Sequence, residues 1–215
     1  MSNAAPVVEH HVAHHFDTAE QEFETAKLGM WVFLAQEVLF FSAIFVAYIV
    51  FRHLHPEMFL EASHHLSWKL GALNTVFLIT SSFTMVMGVR SAQVNERSAS
   101  IKYLIATLIL AGAFMVVKYI EYSEKFHHGY LPGKFFFGEG SHETLHLFYG
   151  LYFAATGLHG LHVLIGMGLI LWLIIRSLRG EFYSDYYTPV EMVGLYWHLV
   201  DLIWIFLFPL LYLVG

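Results

Sequence analysis

Fifteen histidines and a small set of carboxylates are embedded in an otherwise apolar chain of 215 residues, and their spacing limits the chemistry open to them. The sharpest pattern is His142-Glu143-Thr144-Leu145-His146, which satisfies H-E-x-x-H: two histidines one helical turn apart hold Zn²⁺ while the glutamate activates a water. An intramembrane zinc metalloprotease using His142, Glu143 and His146 needs a third ligand, and Asp201 and Glu37 are the carboxylates set deep in apolar sequence. Against this reading, the motif stands at the very start of its helix, and so short a pattern arises easily in a histidine-rich chain. A haem or copper centre fares worse. At about 100° per residue His142 and His146 share a face, but His159 and His162 point away from it; other helices would have to supply ligands, and only His198 is placed to do so. Cysteine is absent, which excludes covalent c-type haem, thiolate metal sites, disulfides and thiol catalysis.

The remaining ionisable residues read as polar ties. Glu37 lies ten residues beyond Lys27, about 15 Å along a helix and near the middle of a bilayer, where a charge is costly and should face protein or water. Lys118 and Glu121 are spaced i, i+3, as are His198 and Asp201, so each pair can meet on one face; a mutual hydrogen bond between His198 and Asp201 would lower the cost of burying both. With His159 and His162 these residues are expected to hold a helix bundle together, or to hold lipid or a partner subunit. A proton-coupled carrier finds little support, since neither an inverted repeat nor a pair of Gly/Pro-broken helices is visible. The pairs His10-His11 and His14-His15 sit in a polar tail, which lacks the preformed geometry a metal requires.

The elements that must position these groups follow from composition. With 57% hydrophobic and only 13% charged residues, the chain reads as all-α, an integral membrane bundle of five transmembrane helices. After a polar, His-rich tail over 1–26, the 27–215 domain holds spans at about 28–51, 70–89, 103–122, 144–176 and 191–214. The fourth has no Asp, Glu, Lys or Arg from Thr144 to Ile175, and Gly150, Ala154 and Gly157 recur on it at i, i+4 and i+7, a stripe where another helix is expected to approach closely; Gly160, Gly166 and Gly168 continue it loosely. Asn74, Thr75, Ser81, Ser82 and Thr84 of the second span should bond across helices or back to their own carbonyls. A net charge of -6 with eleven basic residues leaves no basic patch for nucleic acid. The segment before Leu28 has no apolar core, so no cleavable signal peptide is expected. Basic residues stand six against four, favouring the N-terminus in the cytoplasm and the C-terminus outside.

Five stretches together resemble one family, subunit III of the haem-copper cytochrome c oxidases. Lys27-Leu28-Gly29-Met30-Trp31-Val32-Phe33 and Glu37-Val38-Leu39-Phe40-Phe41 are similar to its glutamate-bearing helix, Leu73-Asn74-Thr75 with Ser81-Ser82 to the next, and Glu121-Tyr122 to the end of the one after. The closest matches are Thr156-Gly157-Leu158-His159-Gly160-Leu161-His162-Val163 and Tyr196-Trp197-His198-Leu199-Val200-Asp201-Leu202-Ile203-Trp204.

The resemblance implies a subunit with no redox centre of its own in a proton-pumping respiratory oxidase of a bacterial inner membrane. Haem and copper would lie in the catalytic subunit I and the copper-bearing subunit II; this chain would pack against subunit I, bind phospholipid, and support proton uptake and turnover stability. Glu37 matches the family's buried, carbodiimide-reactive glutamate, and His162 and Arg176 match positions close to bound phospholipid. The long members have seven helices with lipid in a cleft between the first two and the rest. Those two have no counterpart here, so another subunit would supply the opposing wall. Quinol oxidases share the fold; Glu37 and the Phe40-Phe41 pair favour cytochrome c as donor.

Overall fold

A computed structural model describes residues 14, 16–64, 66–131, 145–184 and 186–213. Five helices long and apolar enough to cross a membrane account for most of them. We number the helices α1 (Ala19–Leu54), α2 (Pro56–His64), α3 (Trp68–Gln93), α4 (Arg97–His127), α5 (Leu145–Arg179) and α6 (Thr188–Phe208), the last continued by a π-helical turn over Pro209–Leu213. Every span runs beyond the apolar stretch that announces it. Thus α1 begins at Ala19, inside the segment expected to be a polar tail, because Thr18 caps it by accepting the Gln21 amide at 3.1 Å and Glu20 and Glu22 stand in its first turn. The short α2 lies in the connection expected to be a loop and buries Met58, Phe59 and Ala62.

The helix ends are set by backbone chemistry. At the end of α5, Gly180 adopts φ 82°, its amide bonding the Ser177 carbonyl while the Glu181 amide reaches back to Arg176. The end of α3 repeats this arrangement at Asn95 (φ 62°), where Glu96 bonds back to Ser91 and the chain turns directly into α4. Arg97 of α4 then donates Nε to the Ser177 carbonyl at 2.6 Å and a second guanidinium nitrogen to that of Leu178, satisfying carbonyls at the C-terminus of α5.

The axis of the bundle is α6. Half of its most apolar window is buried within the protein, against about a fifth for α1. It runs antiparallel to α3, with Trp197 Nε1 donating to Ser81 Oγ and Trp204 Nε1 to Thr75 Oγ1, both at 3.1 Å. It runs antiparallel to α5 as well, where the Tyr196 hydroxyl donates to the His162 carbonyl at 3.0 Å. The helix α4 closes the group against α3 through Thr84 and Thr107 (2.8 Å) and against α5 through Tyr122 and Thr156 (2.6 Å). The edge helix is α1, which buries Leu34, Glu37, Phe41 and Tyr48, a narrow seam at helical spacing.

Close approach occurs in the loose continuation of the expected stripe, at Gly166, rather than at Gly150, Ala154 or Gly157. Gly150 faces open space and Ala154 is exposed, while the position a Cβ would take at Gly157 lies 3.7 Å from the Tyr122 hydroxyl. At Gly166 it would come within 2.7 Å of the Trp197 ring. Gly150 and Ala154 face out of the bundle and Gly157 meets Tyr122 at ordinary contact distance, so the tight approach on α5 is Gly166 opposite Trp197.

Below the aromatic core, Lys118 and Glu121 of α4 form a buried pair. The three protons of the Lys118 ammonium reach Glu121 Oε2 (3.0 Å), the Tyr152 hydroxyl (3.2 Å) and the Tyr212 hydroxyl (3.0 Å). Both tyrosines in turn donate to Glu121 Oε1, at 2.9 and 2.5 Å. Rings of Tyr122, Tyr152 and Trp204 lie 5.2 Å from the ammonium, which adds cation–π attraction. Tyr212 arrives through the π-helical turn that follows α6.

Gly166→Ala should destabilise the purified protein by about 1–3 kcal/mol through overpacking, read as a lower thermal midpoint, whereas Gly168→Ala, where nothing stands within 4 Å, should leave the midpoint unchanged. Lys118→Met or Glu121→Gln alone should each destabilise by about 3–5 kcal/mol by stranding a buried partner. The double variant should cost less than the sum of the two, a coupling that a double-mutant cycle reads directly.

Candidate functional site

The carboxylates and histidines singled out by sequence do not converge: Glu37 meets His162, His198 and Asp201 lie against α3, and Glu121 pairs with Lys118. On the side of α1, Glu37 Oε2 meets His162 Nε2 at 3.1 Å, and His162 Nδ1 meets the Leu158 carbonyl at 2.8 Å. A carbonyl oxygen only accepts, so Nδ1 carries a proton. That leaves Nε2 and Glu37 one proton between them. Whether the proton sits on the carboxyl or on the imidazole, the pair is neutral overall, which is how a glutamate is accommodated near mid-bilayer. Phe41 lies edge-on to the imidazole at 5.2 Å, and Phe40 stands 6.4 Å away on the exposed side. The pairing of Glu37 with His162 joins residues 125 apart in sequence, and no spacing announces it.

On the side of α3, the expected His198–Asp201 bond does not form. Ser82 Oγ lies 2.7 Å from His198 Nδ1 and takes the imidazole toward α3. Asp201 is buried beside Ser81 and Ser82, and neither of its carboxyl oxygens has a hydrogen-bond partner among the described residues. Spacing at i, i+3 made the pair sterically available, and the serine of a neighbouring helix outcompetes it. His159 is also different from expectation. It is fully buried between Phe114 and Trp204, with ring centroids at 5.7 and 5.3 Å, and both its nitrogens lack a partner among the described residues. Its tie between α4, α5 and α6 is made by ring contact rather than by hydrogen bonding. Glu121 belongs to the Lys118 cluster. Arg176 bonds Glu181, and its guanidinium lies over Trp172 at 4.8 Å and Phe182 at 5.1 Å. Sequence reasoning had not foreseen Tyr152 and Tyr212 as members of a polar cluster; a tyrosine in an apolar span gives no sign of which way its hydroxyl turns.

His142 and Glu143 lie outside the described residues, as do His10, His11 and His15 of the tail. His146 is described, and Asp201 cannot complete a metal site with it. Ring contact of Trp204 with His159 and the Tyr196–His162 bond place Asp201 between those two levels of α5, and His146 stands at least thirteen residues earlier, about 20 Å along the axis. Among the described residues no three His, Asp or Glu side chains come together as a metal set.

Known proteins share this sequence over most of its length. The chain is 33% identical over 199 residues to the cytochrome c oxidase subunit 3 of Thermostichus vulcanus, covering 92% of each chain. It is 26% identical over 205 residues to a probable quinol oxidase subunit 3 of Staphylococcus saprophyticus, covering 95% of this chain and 96% of the other. It also matches 22% of a heme-copper oxidase subunit I+III of Aeropyrum pernix, at 29% identity over 192 residues. The family described as cytochrome c oxidase subunit III matches residues 8–215, and a five-span bundle with this sequence belongs to that family.

Proposed function

We propose that this chain is the non-redox flank of a respiratory haem-copper cytochrome c oxidase, seated against the catalytic subunit I and near the copper-bearing subunit II. One observation carries the reading: in a family member, most of the intramembrane polar side chains are spent on one another, Glu37 with His162, Lys118 with Glu121, His198 with Ser82. Such an interior stiffens a bundle. The fused subunit I+III of Aeropyrum pernix supports subunit I as the neighbour. The outer face of α1, with Trp31, Leu39 and Val46 more than half exposed, suits contact with that partner or with bound phospholipid. His162 and Arg176 are the proposed lipid-side residues. Lipid phosphate at Arg176 would have to share the guanidinium with Glu181, which already holds it. The part of this chain in turnover is then to keep lipid and protons in supply beside the catalytic subunit, with the N-terminus on the cytoplasmic side.

A quinol donor is the second reading, favoured by the full-length match to the Staphylococcus saprophyticus protein; the higher identity to the Thermostichus vulcanus subunit favours cytochrome c. Turnover of the purified complex with each donor separates them.

Stripping this chain from the purified oxidase should leave the haem spectrum unchanged while shortening the catalytic lifetime and slowing proton uptake. Turnover and pumping that survive unaltered would defeat the proposal. Glu37→Gln should assemble normally, because a glutamine amide donates to His162 Nε2 as a carboxylic acid does, and the ratio of this chain to haem in the purified complex reads the result. Glu37→Leu should lower that ratio by leaving the imidazole nitrogen unpaired.

A further inference from the structure

An open groove of about 310 Å³ lies at the end of the bundle where α3 finishes and α6 starts; Val86, Val89 and Leu195 give it apolar walls, Arg90, Gln93 and Glu191 a polar mouth, and His198 is in its lining. His198 is seven residues into α6 from Glu191, about 10 Å below the mouth, and Asp201 is one turn deeper. Ser82 lies between them, 2.7 Å from His198 Nδ1 and beside the Asp201 carboxyl. Asp201 is 3% exposed and both its oxygens lack a hydrogen-bond partner among the described residues. The neighbouring Ser81 hydroxyl is already engaged, donating to the Leu78 carbonyl and accepting from Trp197. If His198 Nδ1 donates to Ser82 Oγ, the serine proton is left over, and a turn of the hydroxyl brings it to the neighbouring Asp201.

We infer that His198, Ser82 and Asp201 form a proton-exchange path that connects a buried carboxyl with the cleft between α3 and α6, whose polar end is made by Arg90, Gln93 and Glu191. In the inward step a proton from water binds His198 Nε2. The Nδ1–H bond breaks as a new O–H bond forms on Ser82, and the serine's original O–H bond breaks as its proton joins the Asp201 carboxylate. One proton enters, one carboxylate becomes a carboxylic acid, and the imidazole ends neutral with its proton on Nε2. Rotation of the serine hydroxyl and the return of the imidazole tautomer reset the path.

The groups packed around Asp201 leave this route without a competing ionic partner. On α3 it faces Ser81 and Ser82, with Arg90 further out at the mouth; on α6 the titratable neighbours are His198 and, at the mouth, Glu191. On α5, His159 lies a turn further on against Trp204 and His162 is held by Glu37 of α1; on α4, Lys118 and Glu121 hold each other. The path is independent of the scaffold role proposed above, and its test reads a carboxyl vibration rather than turnover.

The purified oxidase complex is transferred from H2O to D2O and the carboxyl C=O band that disappears in Asp201→Asn is followed by time-resolved infrared difference spectroscopy. In the native complex this band should shift promptly. Ser82→Ala should slow the shift by at least about tenfold, and Ser82→Thr, which keeps a hydroxyl, should restore it. Should Ser82→Ala fail to assemble, His198→Phe carries the same expectation of slowing. Exchange as fast in Ser82→Ala or His198→Phe as in the native complex overturns the path, as does equal slowing in Ser82→Thr or the absence of any carboxyl band lost in Asp201→Asn.

Discussion

Surrounded by hydrocarbon, a polar side chain has no solvent to turn to and must find its partner inside the bundle. The buried Lys118–Glu121 cluster meets that demand most completely. Every ammonium proton has an acceptor, and each tyrosine both accepts from the lysine and donates to the glutamate. Three helical segments are drawn to one point: α4 supplies the charges, α5 supplies Tyr152, and the turn after α6 supplies Tyr212. The hydrophobic effect cannot do this work within a membrane, where lipid is as apolar as leucine. Directional bonds and close packing set the arrangement instead.

The same demand explains why α6 occupies the axis although α5 is the longer and more apolar helix. Indole nitrogens of Trp197 and Trp204 require acceptors, and hydroxyls of α3 provide them, which locks two helices in antiparallel register. Gly166 of α5 then makes room for Trp197. Large rings opposite a glycine and small hydroxyls opposite indoles are two halves of one packing solution. By comparison α1 is lightly held: its seam contains one polar bond to α5, between Glu37 and His162, and one to the chain after α6, from Tyr48 to the Leu210 carbonyl. A helix attached so sparingly leaves most of its surface to lipid or to another subunit, in keeping with the role proposed for the chain.

Some buried polar groups are left without a partner among the described residues. Asn74, His159 and Asp201 are each buried with side-chain polar atoms that no described residue bonds. Such groups are costly, and a bundle optimised only for stability would not keep three of them in its interior. Asp201 differs from the other two in having a serine and a histidine aligned toward an open cleft, which is why the exchange path is drawn through it.

Apolar stretches, the near absence of charge and the absence of cysteine determined by themselves that this is a five-helix membrane protein, and motifs such as Tyr196-Trp197-His198 and Leu158-His159-Gly160 were specific enough to indicate its family. Local spacing also marked Lys118 with Glu121 correctly, because residues three apart on a helix share a face whatever surrounds them. It failed for His198 and Asp201, where geometry within the helix allowed a bond but a hydroxyl on α3 captured the imidazole. It was silent on Glu37 with His162 and on Tyr212 with Glu121, for these contacts join distant segments. Periodicity specifies which residues share a face of a helix; only the packed bundle decides which faces meet, because that depends on the fit of side chains from several helices at once.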